Sequence, residues 1–277
     1  MIRFEGPTRY LGDQSANLAL FRNKADRYPQ KLTPDESLGF WQKPFDWNQH
    51  HPSFFNQMYQ ALNAIQVMRL NPKSCIVEVG SGAGWLSRIL AGLGYCVECI
   101  EPSQTMMEIA RQNVAEFLRV HRMDSLIPNV RFHCTTLEEC ELSDQIADAI
   151  LLYESCHHLV DECRAIRQAY RLLKPGGVLC VAGEGAWIPG HVEQAAAFDA
   201  AIRQFDTLES PFTPEYLTHV LELAGFEQVT RYYGINGWYS SDYRKAPIQE
   251  LAQFNLIDSN NITARRPLKR SVDFPTV

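Results

Sequence analysis

The stretch Val77-Glu-Val-Gly80-Ser-Gly82-Ala-Gly84-Trp85 decides the fold of this 277-residue chain. An apolar run over residues 74–79 leads into three glycines at alternate positions, and a helical pattern over residues 83–93 follows them. Glycines allow a tight turn and a close approach of a ligand to the backbone, and the start of a helix leaves N–H groups unpaired. The stretch therefore predicts the first βα unit of a ligand-binding α/β sheet.

Short apolar strands continue to alternate with amphipathic helical stretches, which is the pattern of parallel βαβ units. Five such units indicate a doubly wound, Rossmann-like α/β sheet. One helix opens at Pro102-Ser103 and another near Thr213, where Pro214 stands in the first turn. The further strands are predicted over residues 96–100, 130–134, 148–153, 178–182 and 227–233.

Two segments lie outside this alternation. Residues 1–73 are predicted to form an N-terminal helical and aromatic cap, because seven of the twenty residues from Phe40 to Tyr59 are aromatic. Residues 185–210, with a helical stretch over 192–205, are predicted to form an insertion on the substrate side. The sheet domain then covers residues 74–240, and a polar C-terminal extension without clear periodicity covers 241–277.

The spacing of the glycines separates two classes of ligand. Dinucleotide-binding folds carry GxGxxG, whereas this loop is GxGxG followed by Trp85 and preceded by Glu78. Glu101 ends the second predicted strand, 17 residues after Gly84 (101 − 84). A carboxylate at that place can accept hydrogen bonds from both ribose hydroxyls of an adenosine. The sequence therefore predicts a ligand that contains a nucleoside.

Five motifs occur in order over residues 74–234: Glu78-Val-Gly80-Ser-Gly82-Ala-Gly84, Glu101-Pro-Ser103, Tyr153-Glu-Ser-Cys-His-His158, Leu173-Lys-Pro-Gly-Gly177 and Ala224-Gly-Phe226. Together they resemble the motifs of the class I S-adenosylmethionine-dependent methyltransferases. The resemblance implies a sheet of seven strands with the last one antiparallel, and it implies S-adenosylmethionine as the cofactor.

The same resemblance implies roles for individual residues. The glycines would border the methionine part of the cofactor, Glu78 would lie near its ammonium group, and Glu101 would hold the ribose. Family members usually have an acidic residue soon after strand 3, but Thr136 occupies that position here. Backbone groups or Glu138 are therefore expected near the adenine. The predicted cofactor-binding residues are Glu78, Gly80, Ser81, Gly82, Gly84, Trp85, Glu101, Pro102, Ser103, Thr136, Leu137, Glu138 and Tyr153.

The segment after strand 4 holds the candidates for catalysis, because open α/β sheets bind ligands at the carboxyl ends of their strands. His157 is the favoured general base and Glu154 the second candidate, while a His at the place of His158 is often structural in this superfamily. At most one of the adjacent histidines is expected to face the substrate. His50 and His51 could reach the pocket with the aromatic segment or could lie at the surface. Since no HxH or HxxxH spacing occurs, no metal is predicted.

The charge balance bears on the acceptor. The chain has 26 Lys and Arg against 32 Asp and Glu, a net charge of −6, which repels a phosphate backbone. The Asn/Asp-Pro-Pro-Tyr/Phe sequence of amino-methylating nucleic-acid enzymes is absent after strand 4. The motif after strand 4 and Gly183-Glu184 after strand 5 resemble methyltransferases of bacterial glycan synthesis. The expected acceptor is therefore a hydroxyl of a small molecule or glycan-type compound, not nucleic acid.

Two alternative functions remain open: a nicotinamide-dependent oxidoreductase on the same sheet, and a non-catalytic cofactor-binding partner protein. No membrane span or export signal is predicted from the sequence, and all eight cysteines fall between positions 75 and 180, mostly in apolar runs. Free thiols in a reducing cytoplasm are the simplest interpretation. The basic cluster of Arg265, Arg266, Lys269 and Arg270 is predicted to be a solvated tail.

Overall fold

The structure of the chain is a computed structural model that describes residues 14–32, 43, 52–187, 192–206, 208–233, 239–241 and 261–268. In these ranges eight strands form one sheet: β1 Cys75–Val79, β2 Cys96–Ile100, β3 Val130–His133, β4 Ala147–Tyr153, β5 Leu173–Ala182, β6 Glu227–Tyr233, β7 Tyr239–Ser241 and β8 Ile262–Arg265. The helices are α1 Gln14–Arg27, α2 Pro52–Met68, α3 Trp85–Gly92, α4 Gln104–Val120, α5 Glu162–Leu172, α6 Val192–Phe205 and α7 Pro214–Leu223.

The strand order is β3-β2-β1-β4-β5-β8-β6-β7. Strands β1 to β5 pair in parallel, and β8 pairs antiparallel with β5 on one side and β6 on the other. This confirms the doubly wound, Rossmann-like fold with an antiparallel strand. The seven expected strands are present, with β8 as the antiparallel one, and the three-residue strand β7 adds a short eighth strand at the edge beside β6.

Strand β8 lies in the tail, where the sequence pattern indicates irregular structure. It has four residues, and only the buried Ile262 and Ala264 provide the alternation that marks a strand. Four residues give too short a window for a periodicity signal. The predicted solvated basic tail is also wrong for Arg266, which is buried and donates hydrogen bonds to the carbonyl oxygens of Tyr170, Arg171 and Leu173.

Helices cover both faces of the sheet, as the doubly wound class requires. One apolar cluster joins β1 and β4 to helices α5 and α7, and another joins the opposite face of the sheet to α2 and α3. Hydroxyl and carboxylate side chains cap the starts of α4, α5 and α7, which fixes the direction in which these three helices begin. Ser103 accepts from Met106 N at 3.2 Å, Thr213 from Tyr216 N at 3.2 Å, and Asp161 from Arg164 N at 2.9 Å.

The N-terminal helix α1 packs against loops at the carboxyl end of the sheet. Leu18 and Phe21 form a buried cluster with Val160 and Leu208. His50, His51 and the aromatic residues Phe40, Trp41, Phe45 and Trp47 lie outside the described residues, as do the side chains of Phe54 and Phe55 on α2. The proposed boundaries 1–73, 74–240, 185–210 and 241–277 stay predictions.

All eight cysteines lie in the described ranges and have free thiols, as the sequence predicts. A search of the described helices for one long and apolar enough to cross a membrane finds none.

Candidate active site

A cavity of about 450 Å³ opens at the carboxyl ends of β1, β2 and β4. Its position agrees with the rule that open α/β sheets bind ligands outside the carboxyl ends of their strands. The structure brings most of the predicted site residues to this one cavity, and three of them, Glu78, Gly84 and Ser103, lie elsewhere. The predicted residues that line it are Gly80, Ser81, Gly82, Trp85, Glu101, Pro102, Thr136, Leu137, Glu138, Tyr153, Glu154, His157 and His158.

The glycine-rich loop forms one wall of the cavity. Gly80 and Gly82 have positive φ angles of 72° and 52°, a conformation that other residues rarely adopt. A Cβ atom on Gly82 would meet no atom within 4 Å, so the space beside this glycine is open. The Ser81 hydroxyl is buried and has no hydrogen-bond partner among the described residues. An orphaned polar atom beside open space fits a polar ligand held against this loop.

Glu101 lies at the end of β2, and its carboxylate joins the glycine loop to the start of α4. Its Oε2 accepts from Gly82 N and its Oε1 from Ser103 N, each at 2.9 Å. Burial raises the pKa of Glu101 to about 7, against the opposing effect of these two N–H groups. The position suits the expected ribose contact, which stays a prediction.

Glu78, by contrast, points away from the cavity. Its Oε2 accepts a hydrogen bond from Ser87 Oγ at 2.6 Å, and the side chain is buried between β1 and α3. Burial raises the pKa of Glu78 to about 8, and the Ser87 hydrogen bond only partly offsets this effect. The expected contact with a ligand ammonium group stays a prediction, and the described geometry gives Glu78 a role inside the protein.

The residues after β3 form the opposite wall. Glu138 Oε1 accepts from Val160 N at 2.9 Å and from Asp161 N at 3.3 Å, so this carboxylate ties the β3 loop to the start of α5. Burial raises its pKa above the ordinary value. Thr136 and Leu137 line the same wall. Hydrogen bonds to the segment before α5 therefore hold the loop after β3 that forms this wall. The expected adenine contact stays a prediction.

His157 stands at the end of the cavity that follows β4, and a buried carboxylate orients it. Its Nδ1 lies 2.6 Å from Glu184 Oε2, and Glu184 Oε1 accepts from Ser155 N and Cys156 N at 2.5 Å each. Burial alone would lower the pKa of His157, but Glu184, with contributions from Glu209 and Glu154, raises it to about 9. The pKa of Glu184 is lowered below its ordinary value, because the attraction of His157 outweighs the effect of burial.

Both histidines line the cavity, and the expectation that at most one of them faces the substrate stays a prediction. The two rings lie with centroids 4.0 Å apart, because residues 156–158 form one tight 3₁₀ turn. His158 Nδ1 is 2.6 Å from the carbonyl oxygen of Leu208. Burial and the neighbouring His157 lower the pKa of His158.

Glu154 connects the site to the N-terminal segment. Its backbone is in the left-handed region (φ 49°), and its carboxylate accepts from Lys43 Nζ at 2.7 Å and from Gln57 Nε2 at 3.0 Å. Lys43 also lies 5.5 Å from the centre of the Trp85 ring. Strained backbone at a cavity wall is typical of functional sites. The N-terminal segment therefore forms part of the wall, as α1 does through Phe21 and Ala25, and as Tyr28 does directly after α1.

Sequence reasoning missed two carboxylates. Glu184 was noted only as part of the Gly183-Glu184 resemblance, without a role, and Glu209 was not singled out. Glu184 follows the carboxyl end of β5, which is a signal that could have marked it. Glu209 comes from the loop after α6, and nothing in the sequence places that loop beside His157.

A metal ion is a separate question. Among the described residues, His157, His158 and Glu209 have donor atoms that all lie within 4.8 Å of one another. Nδ1 of each ring is already engaged, by Glu184 and by the Leu208 carbonyl. The expectation that the site needs no metal stays a prediction.

Comparisons with known proteins agree with this geometry. A sequence model described as a methyltransferase domain matches residues 77–181. A probable S-adenosylmethionine-dependent methyltransferase of Mycolicibacterium smegmatis is 24% identical over 152 residues, 55% of this chain and 51% of that protein. A ubiquinone biosynthesis O-methyltransferase of Coxiella burnetii is 31% identical over 104 residues, 38% of this chain and 41% of that protein. The chain thus matches about half the length of these relatives, or less.

Solved structures extend the likeness to the fold. Phosphoethanolamine N-methyltransferase 2 of Haemonchus contortus, in complex with S-adenosyl-L-methionine, superposes with a TM-score of 0.60 at 18% identity. The superposition covers 89% of this chain and 60% of that one. The sheet order, the glycine loop with Glu101 and the methyltransferase domain model over residues 77–181 together support the class I S-adenosylmethionine-dependent methyltransferase superfamily.

Proposed function

We propose that the chain transfers a methyl group from S-adenosylmethionine to a hydroxyl of a small-molecule or glycan-type acceptor, with His157 as the general base. The observation that carries this proposal is the position of His157. Its ring lines the same cavity as the glycine loop and Glu101, and Nδ1 lies 2.6 Å from Glu184. A histidine held by a carboxylate through one nitrogen can use the other nitrogen to take a proton.

The residues fit the cofactor at the other end of the cavity. The Ser81 hydroxyl without a described partner, the open space beside Gly82 and the Glu101 carboxylate form a polar wall for an adenosyl compound. When bound, S-adenosylmethionine supplies a methyl group that its positively charged sulfur already activates. The chain must then align the acceptor, exclude water and remove the hydroxyl proton.

The proton of the acceptor hydroxyl would go to His157 Nε2, and Glu184 would balance the charge of the resulting imidazolium. Glu154, the second candidate base, is held by Lys43 and Gln57, which favours a role in shaping the cavity. His158 donates Nδ1–H to a carbonyl in this arrangement and would act as a wall of the acceptor site. These roles rest on the described contacts of each side chain.

An uncharged acceptor fits the cavity best. Among the described residues that line the cavity, Lys43 is the single one with a lysine or arginine side chain, and it forms an ion pair with Glu154. A phosphate or carboxylate on the acceptor would have to compete with Glu154 for that charge. Phe21 and Tyr28 instead add aromatic surface to the cavity, and the Phe21 ring centre lies 6.4 Å from that of His158. The O-methyltransferase among the relatives also favours a hydroxyl acceptor.

The test is a transfer assay with cofactor labelled in the methyl group. Purified protein is incubated with pools of neutral hydroxyl compounds, including glycosides, and labelled products are identified by mass spectrometry and NMR. We expect O-methylated products from the wild type, and a His157→Gln variant that binds S-adenosylhomocysteine normally but turns over at least 100-fold more slowly. N- or C-methylated products would contradict the hydroxyl assignment. Cofactor binding without any transfer would favour a non-catalytic partner protein.

A further inference from the structure

His157 lies between two carboxylates, one at each ring nitrogen. Nδ1 is 2.6 Å from Glu184 Oε2, and Nε2 is 3.4 Å from Glu209 Oε2. Glu184 is buried and anchored by two backbone N–H groups, whereas Glu209 lines the cavity. A ligand in the cavity could therefore contact Glu209, whereas the buried Glu184 is not accessible to it.

The backbone holds the Glu209 loop beside the ring. Ser210 N donates to the carbonyl oxygen of His157 at 3.0 Å, so Glu209 is anchored one residue away from the histidine. The second oxygen of Glu209 lies 4.0 Å from His158 Nδ1. Glu209 thus stands at the place from which an acceptor hydroxyl would have to approach Nε2 of His157.

We propose that Glu209 is a positioning residue that holds Nε2 of His157 in the acceptor-free protein, and that the acceptor hydroxyl replaces it there. This inference rests on the proposed role of His157 as base. Nδ1 is engaged by Glu184, so Nε2 is the nitrogen that must receive the acceptor proton. In the acceptor-free protein the same nitrogen faces a carboxylate, which favours a proton on it.

The chemical consequence is that His157 cannot act as a base until the acceptor binds. A ring that carries protons on both nitrogens cannot accept another. Displacement of Glu209 removes one of the anions that stabilise the imidazolium, so the Nε2 proton passes to solvent as the acceptor binds. Nε2 is then free to take the proton of the acceptor hydroxyl. The charged and titratable groups that face the ring are Glu184 after β5, Glu209 after α6, Glu154 after β4 with its partner Lys43, and the adjacent His158.

The experiment is an NMR titration of the full chain with labelled histidine side chains, from pH 5 to pH 10. The His157 signal is assigned with the His157→Gln variant. In Glu209→Gln, which keeps the size but removes the charge, we expect His157 to lose its proton at least tenfold more readily, a pKa lower by about one unit. In Glu209→Asp, which keeps a charge on a shorter side chain, we expect a smaller shift.

Glu193→Gln is the matched control, because Glu193 is exposed on α6 and the change removes the same charge from the same insertion. Its His157 titration should match the wild type. An unchanged pKa in Glu209→Gln, or an equal shift in Glu193→Gln, would overturn the proposal. S-adenosylhomocysteine binding is measured on the same samples. A wild-type protein that does not bind this compound would refute the proposed function, and the titration would still decide the role of Glu209.

Discussion

A Cβ atom on Gly84 would lie 3.0 Å from the Cα atom of Ala110 on helix α4. Gly84 has a φ angle of 80° and precedes the first residue of α3, so it lets α3 and α4 approach closely. Gly82, two residues earlier, faces the open cavity. Two glycines of one motif therefore have different tasks, one in helix packing and one in ligand space.

These different tasks predict that a substitution at Gly84 mainly lowers stability and that one at Gly82 mainly weakens ligand binding. Gly84→Ala should lower the free energy of unfolding by about 1–3 kcal/mol, because the new methyl group crowds Ala110 at a backbone angle that favours glycine. Gly82→Leu should weaken S-adenosylhomocysteine binding more than tenfold with a smaller loss of stability, because its side chain enters the cavity. Urea unfolding and calorimetric titration measure the two effects. Wild-type affinity in Gly82→Leu would show that this glycine does not border the ligand.

Glu101 is expected to contribute to cofactor affinity. Glu101→Ala should weaken S-adenosylhomocysteine binding by about 1.5–3 kcal/mol, roughly 10- to 150-fold, the size of charge-assisted hydrogen bonds. Ser103→Ala is the matched control: it removes the α4 cap at a cost of about 1 kcal/mol in stability but keeps the backbone N–H that Glu101 accepts. Equal affinities in the wild type and Glu101→Ala would remove Glu101 from the ribose site.

The free energy of unfolding should fall as pH rises from about 5 to 9. Glu78 and Glu101 have folded pKa values near 8 and 7, above the 4.5 of the unfolded chain, so the folded state binds more protons between these values. His157, with a folded pKa near 9 against 6.5, stabilises the fold below 6.5 and loses this contribution as pH rises through 9. Each group changes stability by at most about 1.4 kcal/mol per pH unit.

Urea unfolding of the wild type and Glu78→Gln, measured at each pH unit, checks this dependence. The glutamine can still accept the Ser87 hydrogen bond, but it does not titrate. We expect the slope of the variant to be shallower between pH 5 and pH 8, with the largest gain over the wild type at pH 8. Parallel curves for the two proteins would show that Glu78 is not protonated in the folded state.

Arg266 should be a large contributor to stability that has no part in the cavity. It donates to Tyr170 O at 2.9 Å, to Arg171 O at 3.3 Å and to Leu173 O, and its guanidinium lies 4.7 Å from the Tyr170 ring centre. Arg266→Ala removes these hydrogen bonds where α5 ends and β5 begins, while Arg171 O keeps Gln145 N as a donor at 3.1 Å. We expect a loss of about 3 kcal/mol.

The neighbouring Arg265→Ala is the control. Within the described part of the chain the Arg265 side chain makes one hydrogen bond, to Gly176 O at 3.2 Å, and it is partly exposed, so we expect a loss under about 1 kcal/mol. Both variants should bind S-adenosylhomocysteine as the wild type does. Similar losses of stability in the two variants would mean that the buried contacts of Arg266 contribute no more to stability than the single contact of Arg265.

Local patterns in the sequence determined the parallel part of the sheet. The bounds of β2 and β6 match the predicted ranges, and the glycine loop and Glu101 lie on one cavity. These features depend on residues close together in the chain, since a strand, a glycine turn and a helix cap each leave a signal within a few positions. That is also why the family could be identified from five short motifs.

Only the tertiary structure determined which side chains from distant parts of the chain are in contact. Glu209 reaches His157 across 52 positions (209 − 157), Lys43 reaches Glu154 across 111, and Arg266 reaches Tyr170 across 96. Strand β8 likewise enters the sheet between β5 and β6 from the end of the chain. A single sequence carries no local trace of such pairings, because the energy of each depends on burial and distance that exist only once the sheet has assembled.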